Sequence, residues 1–298
     1  MKIITKNKKA LFDYEIQEKL EAGLFWTIFN QLEEHDRHRM FTDWGNLFEK
    51  YVDFLLSSMA LSAQERYVPF PHFGNSKADE ESFDAVIVYG RTWIVVESKG
   101  GFLRSEAKYS EAVDVFLEDL ERKFGRDKGA GIEQLSRKIG SVFARKDIDR
   151  KNIEGLEQND INVVIPVMVV QDAYASSPLV SPWLAARFRD SMRKKDLRKR
   201  LQWLGLVVLD VGELEAIRPH VLAKEVTLSD CILERAKRGD PGLGKWPFTF
   251  RDIVEKLLDS KGINEIPRSD FNDKFDTLIE RIAQRFFNRS FEKLSQDG

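Results

Sequence analysis

The chain has 298 residues, 42% hydrophobic and 32% charged, with 47 Lys and Arg against 49 Asp and Glu for a formal net charge of −2. That length suits one large domain or two ordinary ones with a sizeable core, and the near-neutral balance leaves any attraction for nucleic acid to local patches. The single cysteine, Cys231, excludes an intrachain disulfide framework and a multi-cysteine zinc site, and fits a reducing, cytoplasmic setting.

Residues 1–10 are basic but have no apolar run behind them, so no signal peptide is evident. Leu20, Leu24, Ile28 and Leu32 predict a helix over 11–35. A second helix is predicted over 43–61, with Asp43 as N-cap and Leu47, Tyr51, Phe54, Leu55 and Met59 as its apolar stripe. A short strand at 65–70 runs into a loop marked by Pro69, Pro71 and Gly74. Two β-rich runs around Gly90-Arg91 then read as a hairpin. Its second run, 93–96, is apolar on both faces, which predicts a central, doubly covered strand.

An acidic helix is expected over 104–124, a glycine-rich loop over 125–131 and a helix over 132–145. Buried strands are expected at 161–170 and 203–211, separated by a basic helix over 181–200. From 221 onward the pattern is helical, interrupted at 239–244 and at Pro267. The most apolar stretch, 163–170, contains Pro166 and is too short to span a bilayer. Strands alternating with helices predict an α/β fold with a mixed sheet. His35 and His38 lack further His or Cys nearby and are not read as a zinc site. The glycines of 239–244 lack the Gly-Lys-Ser/Thr ending of a phosphate loop and are read as a connector.

The chemistry concentrates at the end of the hairpin. Burying charge is costly, so Glu97 and Lys99, directly after an apolar run, need a reason. Strand periodicity puts both on one face, with Ser98 opposite. Antiparallel pairing sets the start of one strand beside the end of the other, so Asp84 is expected to approach Glu97 and Lys99. Two carboxylates and an ammonium at one point suit a divalent cation, Mg²⁺ or Mn²⁺, and a phosphate. The plain alternative is a structural salt bridge at a strand end.

Asp84 followed by Glu97-Ser98-Lys99 resembles the D…(D/E)-x-K signature of the PD-(D/E)XK phosphodiesterase superfamily. Upstream, Gly45-Asn46-Leu47-Phe48-Glu49-Lys50-Tyr51-Val52 resembles its first helix, whose Glu joins the metal site in many members. Downstream, Gly131-Ile132-Glu133-Gln134-Leu135-Ser136-Arg137-Lys138-Ile139 resembles the helix that carries a Gln facing the site. Phe83 stands where the signature has Pro, and the connection from Lys99 to Gln134 is long and charged.

The resemblance implies a restriction-endonuclease-like mixed sheet flanked by helices over 41–220, with helical additions at 1–40 and 221–298. It implies Asp84, Glu97, Lys99, Gln134 and Glu49 as catalytic residues. Asp84, Glu97 and the Ser98 carbonyl become the metal ligands. The activity implied is metal-dependent hydrolysis of DNA phosphodiesters, with RNA left open, in defence, restriction or repair. A homodimer, or a place in a multi-protein defence system, fits that setting; a membrane partner does not.

Lys138 shares a helix face with Gln134 and is expected to reach a nucleic-acid backbone. The run 192–200 carries six cations in nine residues. Its Arg193, Lys194, Arg198 and Lys199 are candidate phosphate contacts, set against the ordinary reading of a solvated helix. Arg122, Lys123, Arg126 and Lys128 form a second basic patch near the expected site. Two competing readings remain: a nuclease-like fold without activity, acting as a nucleic-acid-binding or scaffolding protein, and a metal-dependent nucleotide hydrolase.

Overall fold

Continuous runs of β-branched residues on either side of Gly90-Arg91, Val86-Ile87-Val88 and Ile94-Val95-Val96, produce the predicted hairpin, β2 (Ala85–Tyr89) and β3 (Thr92–Lys99). The computed structural model describes residues 28–60, 62–74, 82–109, 113–146, 151–153, 155–178, 180–238 and 250–263. Most of the helix expected over 11–35, the connector at 239–244 and everything after 263 lie outside them.

The hairpin sits inside a six-stranded mixed sheet. β1 (Glu65–Pro69) pairs antiparallel with β2, and β3 pairs parallel with β4 (Val163–Val170). Both β5 (Gln202–Trp203) and β6 (Val207–Asp210) run parallel to β4. β3 and β4 are apolar on both faces because both faces are covered.

On one face Trp93, Val95, Val164 and Met168 meet α4 (Gly131–Val142) and α6 (Ser181–Met192). Ile132, Leu135 and Ile139 come from α4, and Leu184 and Phe188 from α6. On the other face Ile94, Val96, Ile165 and Val167 meet α1 (Glu34–Met59) and α7 (Val211–Leu222). The same layer holds α8 (Leu228–Arg238) and α9 (Phe250–Ser260). Each fully buried aliphatic side chain contributes roughly 1.5–3 kcal/mol, so these two layers outweigh the cost of the few charges taken inside.

Several predicted elements change shape. α1 starts at Glu34, and Asp43 sits within it, beside Arg39 at 3.7 Å, rather than capping it. The face it buries is Phe48, Val52, Leu55, Leu56 and Met59. Leu47, Tyr51 and Phe54 of the expected stripe are exposed. Two overlapping apolar faces exist at helical spacing, and packing on the sheet selects one. The acidic helix becomes α2 (Ser105–Tyr109) and α3 (Val113–Phe124), residues 110–112 lying outside the described ones. A four-residue α5 (Ala173–Ser176) follows β4.

The basic helix ends at Met192. Tertiary hydrogen bonds hold the chain beyond it: Arg145 N donates to Asp196 O at 2.9 Å and Arg198 N to Phe143 O at 3.1 Å. The strand expected over 203–211 is two short pieces, and α7 begins at once because Asp210 and Glu213 form a capping box. No described helix is long and apolar enough to cross a membrane.

Candidate active site

In an open sheet with parallel strands, ligands bind beyond the strands' carboxyl ends. Here β3 ends at Lys99, β4 at Val170 and β6 at Asp210, with Gln171 N donating to Lys99 O at 3.2 Å. The hairpin register pairs Ala85 with Val96, so Asp84 comes beside Glu97. Asp84 N donates to Val96 O at 3.1 Å, and Asp84 Oδ2 accepts from Ser98 N at 2.6 Å. The side chain is thereby fixed by the strand it faces.

Glu97 is 2% exposed, and a buried carboxylate is tolerated only when paired. Lys99 Nζ lies 3.0 Å from its Oε1, and Lys138 Nζ lies 2.8 Å from its Oε2 and 3.8 Å from Asp84 Oδ1. Lys99 also donates to Gln134 Oε1. Gln134 and Lys138 are one turn apart on α4, so a single helix face supplies both.

Two glycines permit the approach of the helices. A Cβ on Gly131, at the start of α4, would lie 2.4 Å from Met168 Sδ and 3.4 Å from Lys99 Cγ. A Cβ on Gly100 would lie 2.8 Å from Phe48 Cβ of α1. α1 therefore reaches the end of β3, and Trp44 Nε1 ties it there by donating to Gln171 Oε1 at 2.7 Å. Glu49, next to Phe48, adds to the negative field on Asp84.

Burial, and then the charge of Glu97, push the Asp84 carboxyl up to about 7, while Lys138 and the Ser98 amide pull it back. The site thus gathers the carboxylates Asp84 and Glu97 and the ammonium groups of Lys99 and Lys138, with the charge of Glu49 felt at Asp84. Asp84 and Glu97 are the hard oxygen donors that Mg²⁺ or Mn²⁺ takes, and Mg²⁺ is commonly held by one or two carboxylates and completed by water. Among the described residues, no group of three or more His, Cys, Asp or Glu side chains is arranged to hold a metal ion unaided. The donor chemistry fits a divalent cation, with the Lys138 ammonium now in the gap between the two carboxylates.

Asp84, Glu97, Lys99, Gln134 and Lys138 are brought together, while Glu49 acts on Asp84 through its charge. Lys138 is buried against Glu97 instead of facing solvent. Ser98 points its hydroxyl to the other face, where that buried oxygen makes no hydrogen bond. Arg193, Lys194, Arg198 and Lys199 belong to the segment after α6, not to a helix. Arg193 lies 3.8 Å from Asp190, and Lys194 and Lys199 are exposed. Arg198 turns inward, donating to Gln158 O at 2.9 Å, with its guanidinium over the Phe143 ring.

Arg122 and Lys123 of the second basic patch share the buried Asp119, and Arg126 pairs with Glu121 at 3.2 Å. Sequence reasoning misses Asp119, although Arg122 and Lys123 follow it at i+3 and i+4 on a helix, which is a readable signal. The Lys108–Asp172 pair at 2.9 Å has no such signal, its partners being far apart in the chain.

No family model matches the chain, and no curated protein matches its sequence. Among solved structures it is similar to the small subunit of the heterodimeric restriction endonuclease R.BspD6I, at 11% identity, over 74% of this chain and 89% of that one, with a TM-score of 0.29. A superposition this loose decides nothing about the site, whose reading rests on the geometry above.

Proposed function

We propose that the chain is a Mg²⁺- or Mn²⁺-dependent nuclease that hydrolyses the phosphodiester bonds of DNA, in the setting of defence, restriction or repair. One observation carries this reading: Asp84 and Glu97 meet at the carboxyl end of the central strand with Lys99 on Glu97 and Gln134 on Lys99. The match of those residues to the D…(D/E)-x-K pattern supports it.

Asp84, Glu97 and the Ser98 carbonyl would hold the cation, with Glu49 close by. When bound, the cation supplies positive charge against the scissile phosphate and a more acidic water. Lys99 would hold the attacking water and meet the charge that develops on the phosphate oxygens. Gln134 keeps that ammonium in place by accepting from it. Lys138, together with Lys99, offsets the charge of Glu97 and Asp84 when no metal is there, and must yield part of that role when the cation enters.

The same ammonium favours a second reading, a nucleic-acid-binding protein of this fold whose site stays closed by its own lysine. One set of assays separates the two. Supercoiled, linear and single-stranded DNA are incubated with Mg²⁺ and wild type, Asp84→Ala or Lys99→Ala, and Mn²⁺ binding is followed by calorimetry. Cleavage should require Asp84 and fall by about 10² or more in Lys99→Ala, with Mn²⁺ binding lost only in Asp84→Ala. Wild-type protein that binds DNA yet cuts none of the substrates supports the second reading.

A further inference from the structure

The residues just outside the carboxylate pair form a cleft of about 550 Å³ that shares Lys99 with the site. One part of its lining is aromatic: Phe29, Phe41 and Phe102. Phe29 and Phe41 meet edge to face at 4.6 Å between ring centres, and Phe41 is 39% exposed. Another part is cationic: Arg104, Arg122 and Lys123.

Those cations are organised from beneath. Asp119 is 0% exposed, and it accepts from Arg104 N at 2.7 Å and Arg104 Nε at 3.1 Å. Arg122 donates to the same carboxylate, and Lys123 Nζ lies 3.7 Å from it. Burial alone would raise the Asp119 carboxyl, but the Arg104 amide, Lys123 and Arg122 outweigh it and hold it below its ordinary value. The neighbouring Asp172 is matched by Lys108 at 2.9 Å. Asp119 therefore gathers three cations and can neutralise one, leaving fixed positive charge at the wall of an aromatic-lined cleft.

Fixed cations beside the exposed ring of Phe41 match the needs of an unpaired polynucleotide, whose phosphates seek charge and whose bases seek a flat apolar partner. A duplex keeps its bases stacked inside and has none to offer a cleft of this size. We propose that this cleft receives a single strand of nucleic acid, with phosphates on Arg104, Arg122 and Lys123 and a base against Phe41, and leads it to Lys99. The proposal rests on the nuclease reading and narrows its substrate to unpaired strands, such as ends, flaps or loops.

Binding measured in EDTA, where no cleavage occurs, tests it separately from that reading. Fluorescence anisotropy would follow labelled oligothymidylate, oligouridylate and a duplex of equal length. Wild type should bind a single strand more tightly than the duplex. Phe41→Ala should weaken single-strand binding about tenfold. Arg122→Gln with Lys123→Gln should weaken it similarly and reduce the log–log salt slope by about 1.4. Thermal melting checks that the variants are folded, Arg122 and Phe41 being partly exposed. Stronger binding of either sugar supports the proposal and names the strand. Single-strand affinity unchanged in folded variants, or a duplex preference in wild type, overturns it. The nuclease reading fails on its own terms, by absence of cleavage dependent on Asp84.

Discussion

Lys138 holds the charge balance of the site. Its ammonium is 2.8 Å from Glu97 and 3.8 Å from Asp84, in a place with little water. Removing one partner of a buried pair costs up to roughly 3–5 kcal/mol when the other charge is left uncompensated; here Lys99, 3.0 Å from Glu97, keeps part of the compensation. Lys138→Met should therefore lower the melting temperature of metal-free protein by roughly 5 °C. Mn²⁺ should recover more of that loss in the variant than it adds to wild type, since the cation then takes the vacated place. Differential scanning calorimetry with and without Mn²⁺ makes the measurement. An unchanged metal-free melting temperature would show that the carboxylates need no counter-ion. At this scale Asp84, Glu97 and Lys99 were legible, because strand pairing and period two are local rules. The burial of Lys138 was not. Its spacing from Gln134 says that the two share a helix face, not what that face meets.

Among elements, the start of α7 joins the sheet to the helices on its far side. Glu213 accepts from Asp210 N at 3.1 Å and from Phe250 N at 2.9 Å, so one carboxyl closes the capping box and anchors α9. Burial first, and the Asp210 charge next, push it from its ordinary 4.5 up to about 8, against the two amides and Arg235. Between those values the unfolded chain has released a proton that the folded chain keeps, so stability falls as pH rises through the window and levels off above it. Asp84 acts in the same direction and is still half protonated at about pH 7, so the Glu213 contribution is read as the difference between wild type and Glu213→Gln. From pH 7 to 8 that difference should be about 1 kcal/mol, below the full one-proton slope of ~1.4 kcal/mol per pH unit. Urea unfolding at pH 7 and 8 should show wild type losing more stability across that interval than Glu213→Gln. Equal slopes would mean that Glu213 is already ionised. The Asp210-x-x-Glu213 spacing was readable as a helix start, but the apolar run into Val211 favoured a longer strand. The α1 stripe is buried at Leu55 and Met59 but exposed at Leu47, Tyr51 and Phe54 for a related reason: both candidate faces are apolar, and only contact with the sheet separates them.

For the whole molecule, a net charge of −2 makes any hold on nucleic acid a matter of where cations are placed. The segment after α6 contributes Arg193, Lys194 and Lys199 on the surface, whereas Arg198 serves the fold. Replacing the three exposed residues by Gln should weaken DNA binding and lower the salt slope by about 0.9 for each duplex phosphate that is no longer neutralised. Folding should stay within about ±0.5 kcal/mol. Arg198→Gln alone should cost roughly 1 kcal/mol or more, because it strips the Gln158 carbonyl of its donor and removes the guanidinium from the Phe143 ring. Titrations across a salt series and urea melts read the two effects apart. An unchanged salt slope would assign the segment to solvent and leave the cleft beside Lys99 to hold the strand. By itself the sequence determined the hairpin, its central strand, the alternation of strands with helices and the meeting of Asp84 with Glu97. Each follows from periodicity or from pairing between neighbours in the chain. Tertiary structure alone decided that Lys138 neutralises the carboxylates, that Arg198 turns inward and that Asp119 gathers three cations beside the site. The partner of a charged side chain is chosen by how distant elements pack, and periodicity carries no record of that choice.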